Sequence, residues 1–390
     1  MKLTSRCLFF ALSCLLAILP AFPQAPNQKF LVFVGTYTDK TDSKGIYAYE
    51  FDTSTGKLTA KGLAAETSNP SWVVIHPNGK WAYAANESGK QSSISAFSVK
   101  AKSAKLTLLN KLSAAGEDPC YLSFDKTGKY LFVANYTSGN VVVFPILPDG
   151  KLGAGTSNVK DVGTLGPNKE RQEGPHAHWV EQQSYDSVVV ADLGLDRVLA
   201  YQFDFEKGAL SVPDMLRTYP NRQLGPFLKL APGTGPRHVV SSEHGICIYV
   251  LGELDSTVTV FVNSREGTYP AAQKISTLPT GFSGRNDAAE MALHPSGKWL
   301  YASNRGHDSI AVFNVERRGG RLSLVANVPT GGKEPRHFAI DPTGQFLLAE
   351  NQNSNSIVVF RINPETGALS QISITEDIPS PVCLTFLRTQ

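Results

Sequence analysis

One phrase recurs through this chain. A proline opens a short apolar run, a glycine-containing turn follows, and a second apolar run ends at asparagine or its substitute. PSWVVIHPNGKWAYAANE starts at Pro70 and PCYLSFDKTGKYLFVANY at Pro119. PRHVVSSEHGICIYVLGE, AAEMALHPSGKWLYASNR and PRHFAIDPTGQFLLAENQ follow. The opening prolines Pro70, Pro119, Pro175, Pro236, Pro335 and Pro381 are spaced by 49, 56, 61, 99 and 46 residues, and the 99 divides in two at Ala288. Short β-type runs repeating at such intervals are the signature of a propeller.

Each unit parses as four strands. The first ends at a turn such as Pro77-Asn78-Gly79 or Pro342-Thr343-Gly344, residues that supply the backbone angles of tight turns. The second is aromatic and β-branched, the third resembles 309–313 or 140–144, and a hairpin turn such as Thr366-Gly367 leads to the fourth. Six units span residues 70 to 376. The ends supply a seventh, with 381–388 as its first strand and 30–64 as the other three. Pairing the two ends within one blade removes exposed sheet edges. The expectation is an all-β, seven-bladed β-propeller with four-stranded blades, a single domain over 29–390.

Composition agrees. The chain is 42% hydrophobic and 18% charged, with 33 Gly and 24 Pro, which argues against disorder and against long helices. The net charge is +3, or +1 once Lys2 and Arg6 are set aside, so no basic excess exists to hold a nucleic acid. Those two cations precede an apolar run over 7–19 and small residues at Ala21 and Ala25. That pattern reads as a signal peptide over 1–25, and the run is short of the roughly 20 residues a membrane span needs. A retained anchor is the alternative. The expected location is periplasmic or secreted, with no membrane span after removal of the signal. Cys120, Cys247 and Cys383 remain, each within an apolar run and without metal or disulfide spacing.

Propeller geometry converts the repeat into a site. Opening and closing positions lie 16 apart in Pro70–Asn86, Pro119–Asn135 and Pro335–Asn351, and 17 apart in the third blade. Antiparallel pairing brings each such pair together at one mouth of the central channel. Beyond the opening position come Ser71-Trp72, Cys120-Tyr121, His176-Ala177-His178, Arg237-His238, Ala289-Glu290, Arg336-His337 and Val382-Cys383. Beyond the closing position come Glu87, Tyr136, Leu193, Glu253, Arg305 and Gln352. Scaffold residues should recur, so departures toward charge need another reason. They gather on the third to sixth blades. Arginines there suit a carboxylate or phosphate, and Glu with His supplies acid–base capacity. The competing reading makes Arg237 and Glu253 a structural ion pair. His176 and His178 would share a face of one strand and invite a metal, but no third ligand has matching spacing. His76 and His294 belong to recurring His-Pro-x-Gly turns and read as structural.

GPHAHWV at 174–180 with ADLGLDRVLAY at 191–201, and GPRHVV at 235–240 with GELDSTVTVF at 252–261, resemble the bacterial lactonase family of seven-bladed propellers. So do the segments 288–313 and 334–360. That family includes 6-phosphogluconolactonases and is similar to the 3-carboxy-cis,cis-muconate lactonizing enzymes. The resemblance implies a catalytic set of His176, Arg237, Glu253 and Arg305, and the residues gathered at the channel mouth add His178, His238, Glu290, Arg336 and His337 as candidate substrate-binding residues. No cofactor or metal is implied. One departure is Gly252, where the family places Asn, which predicts a looser turn at Glu253. The leading expectation is a monomeric lactone hydrolase acting on a small anionic sugar lactone, with Glu253 or His176 activating water. Lactonizing or cycloisomerase chemistry on a carboxylate substrate and a non-catalytic binding propeller are the alternatives.

Overall fold

Apolar alternation and closely spaced turns leave the chain little choice but short antiparallel strands. The computed structural model describes residues 28–212, 228–264 and 268–388; the signal segment expected at 1–25 lies outside them. Seven antiparallel sheets follow one another around an axis. In the first blade Pro70–Ile75, Trp81–Asn86, Ser93–Lys100 and Lys105–Ser113 run outward from the axis in that order. The third blade departs slightly, because Ala209–Ser211 and Leu228–Lys229 both pair with its third strand, Arg197–Asp204. Ring closure is as expected. Pro381–Arg388 pairs with Lys29–Thr36, which continues to Gly45–Asp52 and Lys57–Glu66.

The core is a set of wedges. Each junction between neighbouring blades holds one buried hydrophobic cluster. Where the sixth blade meets the closing blade, Phe51 packs edge-on against Phe346 at 5.3 Å and Phe30 against Phe386 at 5.9 Å. Each fully buried side chain of this size contributes roughly 1.5–3 kcal/mol. Repeated staples join blade to blade. His76 and His294 bond the carbonyls of Gly128 and Gly344 in the next blade at 2.9 and 2.8 Å. Tyr83, Tyr249 and Tyr301 donate to Gly150, Gly320 and Gly367. The two His-Pro-x-Gly histidines are thus structural.

A register shift opens every inner strand. Opening residues pair with closing ones as Pro70 with Asn86, Pro236 with Gly252 and Ala288 with Asn304, and the ladder then skips. The skipped residues are Ser71, Cys120, His178, Arg237, Ala289 with Glu290, Arg336 and Val382. A β-bulge re-aims its side chain out of the normal alternation, and one skipped residue from each blade lines a narrow cavity on the axis. The third blade corrects one expectation. Its inner strand is Ala177–Ser184, and Ala177 rather than Pro175 faces Asp192. His176 therefore precedes the strand, so it does not share a strand face with His178.

Deleting the last ten residues removes the inner strand of the closing blade and exposes two junction clusters. The truncated protein should show no cooperative thermal transition by circular dichroism; unchanged melting would contradict closure by the two ends.

Candidate active site

Glu253 follows the second strand of the fourth blade, and its carboxylate is shared by three guanidinium groups. Arg237 donates to Oε2 at 2.5 Å, while Arg171 at 2.5 Å and Arg305 at 3.2 Å approach Oε1. Arg237 is 5% exposed and Glu253 2%. Burial would push the Glu253 carboxyl up, but Arg237 and Arg305 lead the charges that hold it well below the usual carboxylate range. Backbone carbonyls brace the arginines. Arg237 Nε donates to Ala289 O at 2.7 Å, and Arg305 reaches the carbonyls of Asp287 and Ala288 at 3.2 and 3.4 Å. Gly306 keeps the turn after Arg305 possible, since its φ is +117° and a Cβ there would meet Arg285 O at 2.2 Å.

Arg171 comes from the loop before the third blade. Asn168 Oδ1 accepts the Glu170 and Arg171 amides, and buried Gln172 donates to Leu193 O at 2.8 Å. The loop is thereby fixed with Arg171 aimed at Glu253, and its other nitrogen lies 3.4 Å from Asp287. Arg171, Arg237 and Arg305, with Arg285 3.3 Å from Asp287, stand against the carboxylates of Glu253, Asp287 and Glu173, so one positive charge is in excess.

His176 stacks on the Tyr136 ring with centroids 4.5 Å apart. Its Nδ1 faces the Tyr136 carbonyl at 3.0 Å, an atom that only accepts, so Nδ1 is a donor. Nε2 lies 3.2 Å from Glu173 Oε1 without hydrogen-bonding geometry. The Tyr136 hydroxyl reaches Arg171 at 3.4 Å, which ties His176 to the arginine group. His178, fully buried with Nδ1 unpartnered, is held well below the ordinary imidazole range by burial and then by Arg237. Arg336 sits over the Tyr37 ring at 5.3 Å and 3.9 Å from Glu87, which accepts from the Tyr37 hydroxyl.

Deeper in the channel runs a second polar chain. His238 Nδ1 bonds Glu290 Oε1 at 2.7 Å, Glu290 Oε2 lies 3.4 Å from His337 Nε2, and His337 Nδ1 bonds Glu350 at 2.5 Å. Burial raises the Glu350 carboxyl to about 7.

The structure brings Arg237, Glu253 and Arg305 together as expected, with His176 linked through Tyr136. Arg336 and the His238–Glu290–His337 chain lie beside and below them, with Arg237, His238, Glu290 and Arg336 all lining the narrow axial cavity. Sequence reasoning missed Arg171, Tyr37 and Glu350. Arg171 has no counterpart in the repeat, and its only trace is the longer interval before the third blade. The looser turn expected at Gly252 is absent. A Cβ there would meet Asp255 and Thr234 at 2.5 Å, so those side chains fill the space; Thr234 donates to Asp255 at 2.9 Å.

The family model described as Lactonase, 7-bladed beta-propeller, matches residues 31–386. The chain belongs to this lactonase family. A Bacillus subtilis 6-phosphogluconolactonase is 36% identical over 361 residues, 92% of this chain and 99% of that protein. A periplasmic gluconolactonase of Pseudomonas aeruginosa is 30% identical, with a TM-score of 0.81 over 92% of this chain and 99% of its own. A Lactobacillus plantarum protein of solved structure is 31% identical, with a TM-score of 0.82 over 93% of this chain and all of that one.

The depressed Glu253 carboxyl contributes stability above its unfolded pKa, and that stability is lost as pH falls through the folded value. Glu253→Gln leaves three guanidiniums facing one another and should cost about 3 kcal/mol at neutral pH, with a shallower acid dependence than wild type. Arg237→Ala leaves Glu253 paired with Arg171 and Arg305 and should cost only about 1 kcal/mol. Chemical denaturation against pH checks both; equal losses would contradict the sharing of one carboxylate.

Proposed function

We propose that this lactonase hydrolyses a sugar lactone bearing an acidic group, outside the cytosol. The observation that carries the reading is the excess of guanidinium charge around Glu253, beside His176, whose Nε2 points away from the Tyr136 carbonyl and lies 3.2 Å from Glu173. Arg171 or Arg336 binds the acidic group, and Arg305 with Arg237 faces the lactone carbonyl. His176 Nε2 takes a proton from water as the oxygen adds to the carbonyl carbon. The tetrahedral oxyanion then collapses, the bond to the ring oxygen breaks, and His176 returns the proton to that oxygen. Glu253 is a weak base in this setting, because three guanidiniums stabilise its charged form. It orients the arginines and moderates their charge.

The apolar run at 7–19 and the periplasmic relative support export. An exported enzyme meets sugar-acid lactones that carry a carboxylate rather than cytosolic phosphate esters. The experiment is a panel of glucarolactone, 6-phosphogluconolactone and neutral gluconolactone. Either anionic lactone should exceed gluconolactone in kcat/KM by roughly tenfold or more, and Arg171→Ala combined with Arg336→Ala should erase the preference. His176→Asn should lower kcat by about 10²–10⁴ with melting unchanged. Equal turnover of neutral and anionic lactones would remove the acidic-group reading, and full activity without His176 would remove its role as base.

A further inference from the structure

The channel has a second mouth with different chemistry. From the level of His238 and Glu290 to the far ends of the inner strands runs a cavity of about 590 Å³. Tyr121 and Trp179 wall it, and Glu181 and Glu243 stand toward its opening. No lysine or arginine is among the described residues that line it. Lys126 acts on Glu181 from the second blade, but its ammonium is bonded to Gln183 O at 2.6 Å. The arginines belong to the opposite mouth.

The inner end of the cavity holds two acceptor atoms without a hydrogen-bond partner. His238 is 3% exposed, and its Nδ1 bonds the Glu290 carboxylate at 2.7 Å. The carboxylate accepts, so Nδ1 carries the proton and Nε2 presents a lone pair. Nε2 has no hydrogen-bond partner, and the buried Oε2 of Glu290 has none either, its nearest charged neighbour being His337 Nε2 at 3.4 Å. Burial, outweighing the Glu290 carboxylate, pushes the His238 imidazole down and favours the neutral form. Two unsatisfied acceptors at nine-tenths burial call for a ligand with several donors. Every carboxylate among the cavity's charged groups calls for a positive one, and the aromatic walls suit a cation.

We propose that this mouth binds an organic cation carrying a primary ammonium group, whose N–H donors engage Glu290 Oε2 and His238 Nε2 between Tyr121 and Trp179. A primary ammonium has three donors and no acceptor, the complement of this surface. A neutral polyol would leave the carboxylate charge unmet. A quaternary ammonium would meet the charge but leave both acceptors unpaired. The inference is independent of the lactone reading, since it uses the other mouth and needs no turnover.

Calorimetric titration of the full protein with ethylammonium, tetramethylammonium and ethylene glycol tests it. Ethylammonium should bind saturably and at least roughly tenfold more tightly than the other two. Glu290→Gln should weaken ethylammonium binding roughly tenfold or more. Should that variant fail to fold, as judged by its melting, Glu181→Gln combined with Glu243→Gln carries the test with an expected loss of about threefold or more. Gluconate, an anion directed to the arginine mouth, should not displace ethylammonium. Absence of saturable binding, equal affinity for ethylene glycol, indifference to the carboxamide substitutions, or displacement by gluconate would each overturn the proposal.

Discussion

Seven blades share one axis, and the bulge that opens each inner strand decides which side chain faces it. A regular strand would alternate residues between the two faces of its own blade and bury them against neighbouring sheets. The skipped position breaks that alternation once per blade. Serine, cysteine and valine occupy it on one side of the ring, and histidine, arginine and glutamate on the other. The scaffold is repetitive while its axial residues are not. That asymmetry lets a structural repeat carry a localised site.

Charge on the axis is graded rather than balanced. Arg171, Arg237 and Arg305 converge on one carboxylate at one level, the His238–Glu290–His337–Glu350 chain lies below, and Glu181 with Glu243 marks the far opening. Gathering three guanidiniums, of which Arg237 is buried, is tolerable because each has a carboxylate oxygen or backbone carbonyl within reach. The residual positive charge favours an anion, and the same charge strips Glu253 of the basicity its residue type suggests. His176 stands outside the guanidinium cluster, oriented by the Tyr136 carbonyl at Nδ1 and with Glu173 3.2 Å from Nε2.

Much of this was readable from the repeat. Proline-to-asparagine spacing located the blades and their closure, because an antiparallel pair with a tight turn has a fixed length. Departures from the repeat pointed to Arg237, Glu253 and Arg305 for the same reason. What failed did so where periodicity ends. His176 was read as part of a strand that begins one residue later, since Pro175 imitates the opening prolines of other blades. Arg171 lies in a loop whose path is set by Asn168 and Gln172, contacts with no periodic trace. Gly252 looked like a weakness only because Thr234 and Asp255, which fill its place, come from separate turns.

The central claim is that three guanidiniums sharing one carboxylate leave the mouth ready for an anion. Calorimetric binding of gluconate and of sorbitol, its uncharged counterpart, to the wild-type protein tests this without requiring turnover. The account predicts that gluconate binds roughly tenfold more tightly or better, with the advantage shrinking as salt is raised. Equal affinity for the two, or an advantage indifferent to salt, would contradict it.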